Sequence, residues 1–168
     1  MAGTETIHIT SLMTLCLMFY GVPAQQCATE TSIYGMMLKQ HVFKKITTTN
    51  WAAPAFDCIK ACNNDIRCQS FNYVISQEMC ELSNRTKEAR PEDFVGDSDR
   101  FYYRRHKKRV ALGSIPELPA ESCKEIKASE GVEAVSGKYW FDSINPQPSV
   151  LAYCDMDTEG ESSDACID

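Results

Sequence analysis

The sequence predicts an α+β fold: a small disulfide-stapled module with one helix across an antiparallel sheet, then a linker and a short hairpin segment. Three observations predict it. Ala55, Cys58, Ile59 and Cys62 recur at i, i+3, i+4 and i+7, which is one face of a helix. Ser70 to Ile75 alternates, so Phe71, Tyr73 and Ile75 share one face of a strand. Nine cysteines in 168 residues are many for a reducing compartment and ordinary for a secreted chain.

The elements follow in order. Ile9 to Val22 is apolar apart from hydroxyl and Gly residues, and Val22 and Ala24 are small residues placed for cleavage after Ala24. Residues 1–24 therefore read as a secretory signal peptide. Glu5, with no Lys or Arg in that leader, leaves an uncleaved anchor as the alternative. Cleavage removes Cys16 and leaves eight of the nine cysteines, an even number suited to disulfides. Met37 to Ile46 and Phe101 to Arg105 are expected to supply strands. Pro54 suits the first turn of the helix, where its missing N–H costs nothing, and Asn50 or Thr49 stands upstream as a cap. Asn63-Asn64-Asp65 favours a turn and should end the helix. Met79-Cys80-Glu81-Leu82 reads as a partner for the strand at Ser70.

A charge run, Arg104 to Arg109, precedes Gly113, Pro116 and Pro119, and residues 104–120 read as a linker. Arg104, Arg105, Lys107, Lys108 and Arg109 are expected to form a solvated face. Two competing readings are sulfated-glycan binding and cleavage by a processing protease after Lys108-Arg109. Cys123 to Asp168 follows, with hairpin strands near Lys138–Phe141 and Val150–Asp155.

Composition excludes several functions. Seventeen Lys and Arg against 23 Asp and Glu give a net charge of −6, unsuited to general nucleic-acid binding, which needs a basic surface. No run of about 18 apolar residues follows the leader, so no transmembrane segment is expected after cleavage. Histidines are limited to His8, His41 and His106, too few for a histidine-based catalytic or zinc site once His8 leaves with the leader. Cys58, Cys62, Cys68 and Cys80 match a four-thiolate zinc set in number, but oxidation is expected behind a signal peptide. Asp155-Met156-Asp157-Thr158-Glu159-Gly160 imitates the start of a calcium loop, yet Cys166 stands where the bidentate Glu belongs. Weak surface binding of calcium by Asp155, Asp157, Glu159 and Glu161 is the alternative there. No triad, paired-acid pocket or phosphate loop is present, so no enzyme, no cofactor and no metal are expected. Asn84-Arg85-Thr86 is an N-glycosylation acceptor in a polar stretch after a strand.

Two resemblances sharpen the reading. Cys58-x3-Cys62-x5-Cys68, Ser70-Phe71-Asn72-Tyr73 and Cys80-Glu81-Leu82 together resemble the PAN/apple family over residues 25–103. The resemblance implies Cys58–Cys80 and Cys62–Cys68 bridges and a non-enzymatic module that binds an extracellular protein or carbohydrate. Apple domains also join their first and last strands, but no cysteine stands near Phe101-Tyr102-Tyr103 to meet Cys27. Glu121-Ser122-Cys123-Lys124-Glu125-Ile126, Ser136 to Asp142 and Tyr153 to Asp157 resemble the opening of a fibrinogen-like C-terminal domain. This second resemblance implies a Cys123–Cys154 bridge and an incomplete fibrinogen-like subregion at 121–168. That family's calcium site and ligand pocket lie beyond it, so none of its functional residues carry over. Cys27 and Cys166 remain unassigned. The pairing of the two modules resembles secreted cnidarian proteins.

The expectation is a secreted binding or adhesion module. The alternatives are a structural component of the extracellular matrix and a fragment of a larger fibrinogen-like receptor or adhesion protein.

Overall fold

The computed structural model describes residues 32–49, 53–106, 108–143 and 149–157. The elements are β1 (Ser32–Leu38), β2 (Val42–Thr47), α1 (Pro54–Asn63), β3 (Ser70–Val74), β4 (Met79–Ser83), β5 (Phe94–Arg104), α2 (Cys123–Glu130), β6 (Gly137–Phe141) and β7 (Val150–Cys154). The first five strands form one antiparallel sheet in the order β1-β5-β3-β4-β2. β6 and β7 form a separate antiparallel pair.

The stretch 37–46 holds the end of β1 and most of β2, which lie at opposite edges of the sheet. Gln40 and His41 both adopt positive φ, and this pair of left-handed residues lets the chain leave one edge for the other. Asp93 fixes the corner: its carboxylate accepts from Gln40 Nε2 at 3.1 Å and faces His41 Nε2 at 3.4 Å.

α1 starts at Pro54 and ends at Asn63. Its N-cap is Ala53, with no side-chain cap bond. Thr49 instead donates from its backbone N–H and its hydroxyl to Asp57 Oδ2, at 2.9 and 3.3 Å; Asn50 lies outside the described residues. Cys58 and Cys62 point inward and are bonded to Cys80 and Cys68, with Cα separations of 5.5 and 5.2 Å. Around them pack Phe71, Tyr73, Leu82 and Tyr103. Phe71 stacks on Tyr103 at 4.7 Å, and Tyr73 meets Phe101 at 5.1 Å. Ile75, expected on the same face, lies past the end of β3 in a turn and is 41% exposed. Asp99 holds that turn through Ser76, which takes Ile75 out of the pleat.

β3 is buried along its whole length. On the face away from α1, the Asn72 amide accepts from Leu38 N–H and donates to Leu38 C=O, both at 2.9 Å. A side chain thus plays the part of a strand backbone and pins the end of β1.

The segment expected as a linker is packed instead. Leu112, Leu118 and Ala120 are fully buried with Ala89, Ile126, Phe141, Met156 and the Cys123–Cys154 bridge, forming a second core. Gly113 and Ala120 hydrogen-bond to the backbone of β6: Trp140 N–H donates to Gly113 C=O at 2.7 Å, and Ala120 N–H to Trp140 C=O at 2.9 Å. Gly113 has φ +76, and a Cβ there would lie 3.1 Å from Ile126 and 3.3 Å from Trp140 O. Glycine answers both demands, the left-handed backbone and the close approach.

Arginines join the two cores. Arg85 Nε donates to Glu125 Oε1 at 2.6 Å, with both side chains almost fully buried at 2% and 3% exposure. Arg85 Nη2 reaches Pro119 C=O at 2.9 Å. Arg90 lies 2.8 Å from the same Glu125 oxygen, off the hydrogen-bond direction, as an ion pair. Ser122 caps α2 by accepting from Glu125 N–H, and Glu125 Oε2 accepts from Glu121 N–H, a close relative of a capping box.

The expected solvated charge run is part of this construction. Arg105 turns inward and donates to the carbonyls of Cys62, Asn63, Asp65, Cys68 and Lys108, at 2.9–3.4 Å. The end of α1 leaves carbonyls without helical partners, and a cation with several donors satisfies them. Replacing Arg105 with Met keeps the stem and removes the donors. That variant is expected to lose about 2–4 kcal/mol in urea unfolding, because buried carbonyls are left unpaired. Lys should recover only a minor part of the loss.

Candidate functional site

On the sheet face opposite α1, β1, the end of β5 and the turn after β4 enclose an open cleft of about 560 Å³. Ser32, Ile33 and Tyr34 supply one wall, Lys87 and Glu88 another, and Tyr102, Arg104 and His106 the floor and rim. Alternation along β5 explains the floor: Tyr103 faces the α1 core, so Tyr102 faces the other way. Its ring is fully buried, and its hydroxyl accepts from Lys87 N–H at 3.0 Å. Burial pushes the phenol up to about 12, so it stays protonated.

Glu88 pairs with Lys87 Nζ at 3.0 Å and with Arg104 Nη1 at 3.4 Å. Burial alone would raise its carboxyl; Lys87, its own backbone amide and Arg104 outweigh that and hold it below the ordinary value. Arg104 also donates to Ser129 C=O at 3.2 Å, which ties the cleft to α2. Ile33, opposite Tyr102, turns toward the cleft; Tyr34, opposite Phe101, borders it along the strand edge and projects from the other face, 72% exposed.

The basic run does not converge on one surface. Arg104 borders the cleft, Arg105 is spent on carbonyls, and Lys107 lies outside the described residues. Lys108 is exposed. Arg109 is enclosed: it donates to Gln69 Oε1 at 2.6 Å and to Glu130 Oε1 at 2.8 Å. A protease cutting after Arg109 would have to extract that side chain. Asn84 is half-buried at the exit of β4, with its N–H on His41 C=O at 3.2 Å, between buried neighbours. Cys123 and Cys154 are bonded, their Cα atoms 5.6 Å apart. Asp155 and Asp157 accept from Ser136 Oγ. Glu159, Glu161, Cys27, Cys166 and the leader lie outside the described residues. Among the described residues no group of His, Cys, Asp and Glu is placed to hold a metal ion. No helix among them is long and apolar enough to cross a membrane.

The pattern of the PAN domain family matches residues 24–107, half of the chain. The chain belongs to the PAN domain family. PAN domains commonly bind protein or carbohydrate in extracellular proteins. The match spans the five-stranded sheet, α1, the first two disulfides and every residue of the cleft. No curated protein matches the chain.

Lys87, Glu88, Tyr34 and Tyr102 are the site residues that sequence reasoning missed. Their signal is non-local, since β1 meets the turn at Lys87 only once the sheet is assembled. The seam had a local signal: Ser122-x-x-Glu125 is the spacing of a capping box.

The seam should also be sensitive to acid. Burial would raise the Glu130 carboxyl, but Arg109, Leu112 N–H and Ser129 hold it below its ordinary 4.5. A carboxyl depressed on folding stabilises the fold above its unfolded pKa, and that stabilisation is lost as pH falls through the folded value. Asp142 has the opposite sign: burial and the nearby Glu121 and Glu125 raise it against the pull of Arg85 and Arg90. Urea unfolding from about pH 6 to pH 3 should therefore lose stability more steeply in the wild type than in Glu130→Gln. Asp142→Asn, which removes the compensating gain, should steepen the loss.

Proposed function

We propose that the chain is a secreted, non-enzymatic binding module that engages an extracellular protein or carbohydrate through the cleft of its PAN domain. The observation that carries this reading is the cleft itself. It is open, and it gathers Lys87, Arg104 and His106 over the buried Tyr102 ring, with Ile33 on the same face and the exposed Tyr34 at the adjoining strand edge. Such a mixture of donors and an aromatic surface recognises polar or anionic groups.

Secretion fits the leader, the bonded cysteines and the Asn84 acceptor. Asn84 Oδ1 is buried without a partner. We assign the first sugar to Nδ2. The protein collected from culture medium should begin at Gln25 and lose mass on glycan removal, and Asn84→Gln should show no such loss. An unprocessed, unglycosylated chain retained in cells would contradict secretion.

Binding is tested with the full secreted chain on immobilised extracellular proteins and glycans. Saturable binding should fall at least tenfold in a Lys87→Glu, His106→Ser double variant. Binding that the double variant leaves unchanged would move the site away from the cleft.

A further inference from the structure

We infer that the cleft and the adjoining edge of β1 form one groove, which takes an extended polypeptide bearing acidic side chains as an added strand. This rests on the reading of the cleft as the binding site and names its ligand class.

The two edges of the sheet differ. β2 carries Lys44 and Lys45, both exposed, on its outer strand. Exposed lysines are a common protection against unwanted strand pairing. β1, Ser-Ile-Tyr-Gly-Met-Met-Leu, carries no charge in seven residues. It pairs with β5 on one side and, among the described residues, with no strand on the other. A bulge between Tyr34 and Met36, at Gly35 with φ +75, divides this edge. The Ser32–Tyr34 half lies along the cleft. In an antiparallel strand, alternate residues turn N–H and C=O away from the existing partner. That half therefore offers backbone groups to an incoming chain beside a row of side-chain donors.

The charge of the cleft selects the occupant. Lys87, Arg104 and His106 face a single carboxylate, Glu88, which Lys87 and Arg104 already neutralise. An added strand places every second side chain over the cleft. A carboxylate there would meet Lys87 Nζ and the rim at His106, while the apolar residues between would fall on the other face, beside Tyr34, which pairs with Phe101. A sulfated polysaccharide fits less well. It wants a track of cations, and the run that would extend the cleft is turned inward at Arg105 and Arg109. Strand addition combines backbone affinity with alternate side-chain selection.

The test uses the full chain labelled with ¹⁵N and four blocked heptapeptide probes: alternating Glu and Val, the same peptide with alternate amides N-methylated in either of the two registers, and alternating Lys and Val. A heparin-derived oligosaccharide is the fifth probe. The Glu–Val peptide should shift the amide signals of Ser32, Ile33, Tyr34 and Lys87. At least one N-methylation register should weaken it tenfold or more, and Lys–Val should bind at least tenfold more weakly. Lys87→Glu should reverse the Glu–Val over Lys–Val preference. Equal affinity for the Glu–Val peptide and both N-methylated registers would overturn strand addition. Oligosaccharide binding at Lys87 and Arg104 with no peptide binding would overturn the peptide proposal while leaving the cleft as the site. Binding of no probe would overturn the proposal as well, and the broader panel of proteins and glycans would then decide the cleft alone.

Discussion

One carboxylate, Glu125, holds the working parts of this chain in place. Arg85 bonds it at 2.6 Å and Arg90 lies 2.8 Å from it, and these two arginines bracket the turn that presents Lys87 and Glu88 to the cleft. The carboxylate belongs to α2, outside the PAN match, so a wall of the PAN cleft is anchored by the segment that follows the PAN domain. A buried ion pair is a poor source of net stability, because desolvating both partners costs about as much as their attraction returns. Its value is directional. With Arg85 2% exposed, the placement of α2 that satisfies the guanidinium also brings Ser129 C=O to Arg104.

The two cores are small, and each is stapled. Cys58–Cys80 and Cys123–Cys154 are separated by 22 and 31 residues in sequence. Loops of that size contribute roughly 3–4 kcal/mol each by restricting the unfolded chain. The second core would still be marginal if it were built from the hairpin alone, since an isolated pair of strands scarcely holds in water. It becomes a core because Leu112, Leu118 and Ala120 are drawn in from one side and Ala89 from the PAN turn on another. The cation seam and the apolar packing thus close the same interface.

What was legible in the sequence was local. The spacing of Cys58, Ile59 and Cys62 reads as a helix face because burial follows the helical period, and Pro54 marks its start. Phe71 and Tyr73 alternate into the core as the pattern implies, whereas Ile75 fails because the strand has already ended. The turn signals at Gly113, Pro116 and Pro119 were real, but turns need not be linkers. Leu112, Ile115 and Leu118, interleaved among them, are the apolar residues that composition averaging conceals. The basic run misled for a related reason. Arginine can satisfy carbonyls and carboxylates inside a protein as readily as it can face water, and nothing in a run of cations tells which. The cleft was invisible because its residues come from β1, the turn after β4 and β5, which only the sheet brings together.

The central claim is that Glu125 holds the turn at residues 84–90 and, through it, the cleft. Hydrogen exchange of that turn in Glu125→Ala, compared with the wild type under native conditions, tests it most directly. Leaving Arg85 buried without its partner should cost about 3–5 kcal/mol locally. The amides of Lys87, Ala89 and Arg90 should then exchange at least a hundredfold faster, while those of β3 change less. Exchange of the turn that is unchanged in the variant would contradict the account.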